Sequence, residues 1–125
     1  MTMKEPLGTV VSIVPFNFPV LLFGWQAAGA LAAGNAIIVK PSDLTPLTLL
    51  VLMDSFAHLP PGLVQVVTGG AEVGQALVAH EHTHGVAFTG SVGAARAVAT
   101  TAAQRFKPAL IEASGNDAFI VMPSA

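Results

Sequence analysis

Thr9-Val10-Val11-Ser12-Ile13-Val14 is a nearly continuous run of β-branched residues, and Pro15-Phe16-Asn17-Phe18-Pro19 follows it directly. The first segment predicts a strand buried on both faces, as in a parallel sheet covered by helices. Two prolines cannot both lie inside one helix or central strand, so the second segment predicts a turn. The Ala- and Leu-rich segment 20–33 then predicts a helix, which Gly34 ends in a left-handed conformation.

The same alternation continues along the chain. Further strands are predicted at 36–40, 63–67, 85–88 and 109–111, with a sixth at 118–122, and further helices at 45–58, 71–80 and 91–106. This order predicts one α/β domain over residues 1–125: an open, doubly wound, Rossmann-like parallel sheet of about five strands with helices on both faces. Ligands of such sheets bind at the carboxyl ends of the strands.

The first predicted helix contains Gly24 and Gly29, and glycine lowers helix propensity. We therefore expect both glycines to lie where the helix packs closely against a neighbour. No charged residue occurs from Pro6 to Val39, which leaves a membrane span as an alternative. Prolines and glycine interrupt that stretch, and no signal peptide is evident, so we expect no membrane partner and a location in the cytoplasm.

The composition is apolar: 53% of the residues are hydrophobic, 10% are charged and the net charge is −2. A slightly acidic chain has no electrostatic footprint for nucleic acid, so no nucleic-acid partner is expected. So many apolar residues predict exposed apolar surface and self-association, as in a homo-oligomer. There are no cysteines, which excludes disulfides, thiolate metal ligands and a cysteine nucleophile within the chain.

Two segments at strand ends have the chemistry of a nucleotide site. Phe88-Thr89-Gly90-Ser91 lies between a strand and a helix start, where free amides and the helix dipole favour an anion such as phosphate. The alternative is that Ser91 only caps the helix. Lys40-Pro41-Ser42-Asp43 offers a cation and a short acid that could bracket ribose hydroxyls, and the alternative is a solvated strand end.

Two further motifs resemble known signatures and fail their spacing or context. Gly69-Gly70-Ala71-Glu72-Val73-Gly74 lacks the G-x-G-x-x-G spacing and follows the third strand, so a tight turn near an adenine is expected. His80-Glu81-His82-Thr83-His84 matches H-E-x-x-H, but Gly85 and a strand follow at once. A zinc site needs both histidines on one continuing helix, so we expect no metal site and a solvated helix end instead.

Two residues could carry catalysis. Glu112 ends a strand that is otherwise apolar, so it is paired, exposed or a general base tuned by partial burial. Asn17 lies between prolines and phenylalanines, and a fixed carboxamide there could donate to an oxyanion. The alternative for Asn17 is that its side chain only holds the turn.

Taken together, these segments resemble the aldehyde dehydrogenase superfamily over nearly the whole chain. The matching segments, in order, are Pro15-Phe16-Asn17-Phe18-Pro19, Gly34-Asn35, Lys40-Pro41-Ser42, Pro61-Gly62, Phe88-Thr89-Gly90-Ser91 and Glu112. The resemblance implies NAD(P)⁺-dependent oxidation of an aldehyde to a carboxylic acid.

The resemblance also implies roles for individual residues. Asn17 would donate to the oxyanion of a thiohemiacetal, and Glu112 would activate the water that hydrolyses the thioester. Lys40 and Asp43 would hold the adenosine ribose, and Ser91 would contact the pyrophosphate. The complete set of expected cofactor contacts is Pro15, Phe16, Lys40, Ser42, Asp43, Gly70, Gly74, Thr89, Gly90 and Ser91.

The chain departs from the family pattern at three places. Asp43 stands where the family usually has Glu, and an acid there favours NAD over NADP. Ala113-Ser114-Gly115 replaces Leu-Gly-Gly after the general base, and the cysteine nucleophile is missing. We therefore expect a nucleotide-binding domain without the cysteine-bearing catalytic domain and oligomerisation arm, which binds nucleotide but is inactive alone. The alternative is a non-enzymatic structural or interaction module.

Overall fold

The computed structural model describes residues 2–124, in which strands and helices alternate. The strands are β1 (Thr9–Ile13), β2 (Ala36–Lys40), β3 (Val64–Val66), β4 (Gly85–Gly90) and β5 (Ala109–Ala113). The helices are α1 (Pro19–Ala32), α2 (Pro46–Leu52), α3 (Ala71–Ala79) and α4 (Val92–Gln104), and a 3₁₀ turn, Met53–Phe56, extends α2.

The five strands form one parallel sheet in the order β3-β2-β1-β4-β5. The predicted α/β class, the parallel sheet and the number of strands are therefore confirmed. β1 lies in the centre, where Ile13 is the partner of Lys40 in β2 and of Phe88 in β4. The chain leaves β1 towards β2 on one side of the sheet and leaves β4 towards β5 on the other side. The segments that follow β1 and β4 therefore run in opposite directions and leave a crevice between them.

Helices cover both faces of the sheet, as the sequence predicts. On one face Val11, Ile13 and Phe88 pack against α3 and α4, and on the other Val39 and Ile37 pack against α1 and α2. Side chains alternate between these faces along each strand. Residues of β1, β4 and β5 that do not face α4 therefore face α1, and this assignment matters for the site.

The ends of the helices follow from local chemistry. Pro19 is the first residue of α1 rather than part of the preceding turn, because its missing amide hydrogen is not needed there. Gly34 has a φ of +82°, the left-handed conformation expected after α1. Ser91 caps α4, and its Oγ accepts a hydrogen bond from the amide of Ala94. Thr45 precedes α2 but makes no side-chain capping bond.

Two predictions about the end of the chain are wrong. No strand follows Ala113 in residues 2–124, and segment 118–122 is exposed. A strand needs a neighbour to accept its amide hydrogens, and this apolar segment has none in the described chain. Glu112 does not end its strand, because β5 continues and Ala113 is still the partner of Gly90.

Two predictions about helices also need correction. Gly24 and Gly29 do not mark close packing, since a Cβ at either position would meet nothing within 4 Å. The predicted helix at 45–58 is shorter, because α2 tightens into the 3₁₀ turn after Leu52. From residue 2 to residue 124, no helix is long and apolar enough to cross a membrane.

Candidate functional site

A cavity of about 370 Å³ lies at the carboxyl ends of β1, β2 and β4, between the N-terminal turns of α3 and α4. Its wall includes every residue predicted to contact a cofactor: Pro15, Phe16, Lys40, Ser42, Asp43, Gly70, Gly74, Thr89, Gly90 and Ser91. The reversal of chain order between β1 and β4 opens this crevice, which is where open α/β sheets bind ligands. The fold therefore brings together segments that are far apart in the chain.

Lys40 is the buried charged group in the wall of this cavity. Its residue is buried, and its Nζ donates to the carbonyl oxygen of Pro41 at 2.7 Å. Burial lowers the pKa of Lys40 below its ordinary 10.5, against the opposing effect of the carboxylates of Asp43 and Glu72. An ammonium has three N–H donors, so one internal hydrogen bond leaves others available to a ligand.

Glycines leave the space that this lysine occupies. A Cβ at Gly74 would lie 3.3 Å from Cδ of Lys40, so a larger residue would press on the lysine stem. The preceding Gly69 has a φ of +148°, which agrees with the predicted tight turn before α3. The amide of Gly70 donates to Oε1 of Glu72 at 3.2 Å, which closes the turn.

Ser91 forms the rim of the cavity at the start of α4. Its Oγ accepts from the amide of Ala94 at 3.3 Å, so the capping role considered from the sequence is present. Capping uses the oxygen as acceptor and leaves the hydroxyl hydrogen free to donate. The positive end of a 13-residue helix also points here, and both features favour an anion.

Glu112 and Asn17 do not line this cavity. Glu112 borders a second, smaller cavity of about 70 Å³ between α1 and β5, together with Trp25, Gln26 and Thr89. Phe88 and Thr89 belong to the walls of both cavities, so the two are adjacent. Glu112 is exposed rather than partly buried, and Asn17 lies exposed in the turn before α1 and lines neither cavity.

A polar chain crosses from α1 to the wall shared by the two cavities. Ser12 Oγ lies 2.6 Å from Oε1 of Gln26, and Nε2 of Gln26 lies 3.2 Å from Oγ1 of Thr89. Ser12 is fully buried in β1, and Thr89 is half-buried in β4. Sequence reasoning missed Gln26, because its partners are 14 and 63 residues away and give no local pattern.

Other missed residues do follow a local pattern. Gln75, Ala94, Ala97 and Val98 also line the larger cavity. Gln75 lies one helical turn after Ala71, and Ala97 and Val98 lie one turn after Ala94, so each group shares one helix face. Helical spacing counted forward from Gly70 and Ser91 would have found them.

The histidine segment lies at the opposite end of α3. The helix ends at Ala79, so His80 and Glu81 are not on a continuing helix. Nζ of Lys107 donates to the carbonyl oxygens of Val78 and His80, which holds the end of α3. No group of three possible metal ligands lies together in the part of the chain that the structure describes.

Comparison with known proteins gives one consistent result. A sequence model described as the aldehyde dehydrogenase family matches residues 1–125. Aminoaldehyde dehydrogenase 1, peroxisomal, of Malus domestica is 44% identical over 122 residues, which cover 95% of this chain and 24% of that protein.

Solved structures agree with the sequence comparison. An aldehyde dehydrogenase from Bartonella henselae matches with a TM-score of 0.87 and 30% identity, over 91% of this chain and 25% of that one. Betaine aldehyde dehydrogenase from Staphylococcus aureus, in complex with NAD⁺, matches with a TM-score of 0.84 and 32% identity, over 89% of this chain and 23% of that one. The chain thus spans about a quarter of the length of the relatives that it matches.

Proposed function

The chain belongs to the aldehyde dehydrogenase family, and from this premise we propose that it is the nucleotide-binding domain of an enzyme that oxidises an aldehyde to a carboxylic acid with NAD⁺ or NADP⁺. The observation that carries the proposal is the larger cavity at the strand ends. It gathers all the residues predicted to contact the cofactor, although they come from four separate segments of the chain. The complex of the Staphylococcus aureus relative with NAD⁺ supports the same cofactor class.

The groups in the cavity fit a dinucleotide. Its volume of about 370 Å³ is within the range of small-molecule sites. Lys40 retains free N–H donors for ribose hydroxyls, and Asp43 is an exposed acceptor beside it. At the other end of the cavity, Ser91 and the free amides of the first turn of α4 suit a phosphate. Gly74 leaves room where a side chain would crowd Lys40.

The proposed division of labour follows from these positions. The bound nucleotide would accept the hydride from the aldehyde carbon. Lys40 and Asp43 would hold the ribose, and Ser91 would hold the phosphates. Asn17 would donate a hydrogen bond to the substrate oxygen, and Glu112, whose cavity adjoins the larger one, would take a proton from the attacking water.

The 125-residue chain should bind nucleotide without turning over aldehyde. The family nucleophile is a cysteine thiolate, and this sequence contains no cysteine. Adding an aldehyde and NAD⁺ to the purified chain should give no NADH absorbance at 340 nm. Sustained NADH formation would refute this part of the proposal.

Titration calorimetry with NAD⁺ tests the site directly. Lys40→Met removes the ammonium but keeps the buried stem, and it should weaken binding about tenfold to a hundredfold, as expected for charge-assisted hydrogen bonds. Lys4→Met is a matched control, because it removes the same charge from an exposed position outside the cavity. A folded chain that binds no nucleotide would instead favour the structural or interaction module.

Asp43 gives the cofactor preference. A carboxylate beside the ribose accepts a hydrogen bond from the 2′-hydroxyl and repels a 2′-phosphate, so NAD⁺ should bind more tightly than NADP⁺. Asp43→Asn keeps the shape, removes the charge and should reduce the difference between the two affinities. An unchanged ratio would show that Asp43 does not face the ribose.

We also propose that the chain self-associates with a second copy through exposed apolar side chains. Phe18 and Trp25 near α1 are 60% and 65% exposed, and Leu110 in β5 is 65% exposed. Such a concentration of apolar surface favours association. Light scattering after gel filtration should show a species larger than a monomer, and a clean monomer that binds no hydrophobic dye would contradict it. The cytoplasmic location stays a prediction.

A further inference from the structure

The polar chain through Gln26 has a defined direction. The 2.6 Å separation between Ser12 and Gln26 is ordinary for O–H···O and too short for N–H···O, so the amide oxygen of Gln26 faces Ser12. The amide nitrogen then faces Thr89, at the 3.2 Å typical of a longer N–H···O bond. Ser12 thus donates to Gln26, and Gln26 donates to Thr89.

This direction leaves the Thr89 hydroxyl with its hydrogen unused. A threonine hydroxyl has one hydrogen to donate. Here the hydroxyl oxygen accepts a hydrogen bond from Gln26, which does not use that hydrogen. No acceptor for that hydrogen exists among the hydrogen bonds of residues 2–124. Thr89 is half-buried in the wall shared by the two cavities, so its hydrogen is available to a group bound there.

The same face of the sheet carries Glu112. Thr89 and Glu112 are Cα partners in the parallel pairing of β4 with β5, and paired residues project to the same face. That face is covered by α1, from which Gln26 extends into the smaller cavity. Gln26, Thr89 and Glu112, the predicted general base, therefore border the same small cavity.

We infer that Gln26 is a positioning residue, which makes the Thr89 hydroxyl a donor to an acceptor oxygen of a ligand held between the two cavities. The inference rests on the proposed nucleotide site and deepens it. Buried Ser12 fixes the orientation of the Gln26 amide, and Gln26 in turn fixes the direction of the Thr89 hydroxyl. Gln26 acts through Thr89 and needs no contact with the ligand.

A double-mutant cycle on the complete chain, titrated with NAD⁺, tests this inference. Thr89→Val removes the hydroxyl at constant shape and should weaken binding about tenfold. Gln26→Met releases the hydroxyl to rotate and should weaken binding about threefold. The double variant should bind no more weakly than Thr89→Val alone, because Gln26 acts through the hydroxyl that is already gone.

Thr89→Ser provides the rescue, since it keeps the hydroxyl. In that background Gln26→Met should again weaken binding about threefold. Losses that multiply in the double variant with Thr89→Val would overturn the positioning role, and so would unchanged affinity of Gln26→Met. Urea unfolding of each variant establishes that it is folded at the titration temperature. Absence of NAD⁺ binding by the folded wild-type chain would instead refute the proposed function.

A ligand-free measurement decides the hydrogen bond itself. Thr89→Val should shift the side-chain amide resonances of Gln26 in ¹H–¹⁵N spectra, and Thr89→Ser should largely restore them. Resonances that do not move in Thr89→Val would show that Gln26 does not donate to Thr89. That result would overturn the inference even in a chain that binds nucleotide well.

Discussion

Lys107 holds together three parts of the chain, and replacing it should cost measurable stability. Its Nζ donates to the carbonyl oxygens of Val78 and His80 at 2.7 and 2.5 Å, and to Oγ1 of Thr83 at 2.8 Å. Thr83 is itself almost fully buried, and its hydroxyl donates to the carbonyl of Leu77. Lys107→Met keeps the stem and removes all three donors.

The magnitude follows from two opposing effects. Three hydrogen bonds at a net value of about 1 kcal/mol each would give a loss of about 3 kcal/mol. The cation also faces the negative end of α3, which adds a few tenths of a kcal/mol. Against this, partial burial lowers the pKa of Lys107, with a smaller contribution from Arg105, so removing the charge recovers some desolvation energy. The expected net loss is about 2 kcal/mol.

Urea denaturation followed by circular dichroism measures this difference. Lys4→Met is the matched control, because it removes the same charge from an exposed residue and should leave the midpoint nearly unchanged. For a domain of this size, a loss of about 2 kcal/mol is a large part of the total stability. A loss below about 0.5 kcal/mol for Lys107→Met would refute the reasoning, because water would then replace all three contacts at no cost.

Further outcomes follow from residues in the core, the turns and the cavity. Phe23 is fully buried and meets Phe56 edge-on at 5.9 Å, so Phe23→Ala should lose about 3–5 kcal/mol in urea denaturation. Gly69→Ala should lower the free energy of unfolding by about 1–3 kcal/mol in the same assay, because the φ of Gly69 is +148°. Gly24→Ala, on the open face of α1, should raise the free energy of unfolding by up to about 1 kcal/mol. Similar changes for the two variants would contradict this reasoning. Because the pKa of Lys40 is lowered in the folded chain, the unfolded chain binds more protons as the pH approaches 10.5. Wild type should therefore gain stability relative to Lys40→Met as the pH rises towards 10.5, and urea midpoints of the two proteins that run parallel with pH would exclude this.

Local pattern was sufficient for most of the fold. The β-branched runs, glycine stops and short connections predict every strand of the sheet and every helix, with boundaries that differ by a few residues. Segment 118–122 was misread because apolar residues look like a strand whether or not a neighbouring strand is present to pair with them. Gly24 was misread because a glycine in a helix has the same appearance in sequence whether it packs closely or lies open to solvent.

The larger cavity was predictable for a topological reason. The carboxyl ends of parallel strands all lie at one edge of the sheet, so the segments that contain Lys40 and Ser91 could be placed at that edge from the alternation of strands and helices alone. Interactions between side chains on separate elements were not predictable in this way. The partners of Gln26 and of Lys107 depend on which helix covers which face, and residue spacing along one segment carries no such information.

The sheet order has a consequence for how the chain folds. The β1–α1–β2 and β4–α4–β5 units each close through short connections. The pairing of β1 with β4 instead brings Thr9 next to His84, which precedes β4 and is 75 positions away. Closing so long a loop costs chain entropy and slows the step that makes it. Because the larger cavity has a wall from each unit, it exists only after that step. Nucleotide added during refolding should therefore bind only after β1 and β4 have paired, so the onset of binding would report that pairing step.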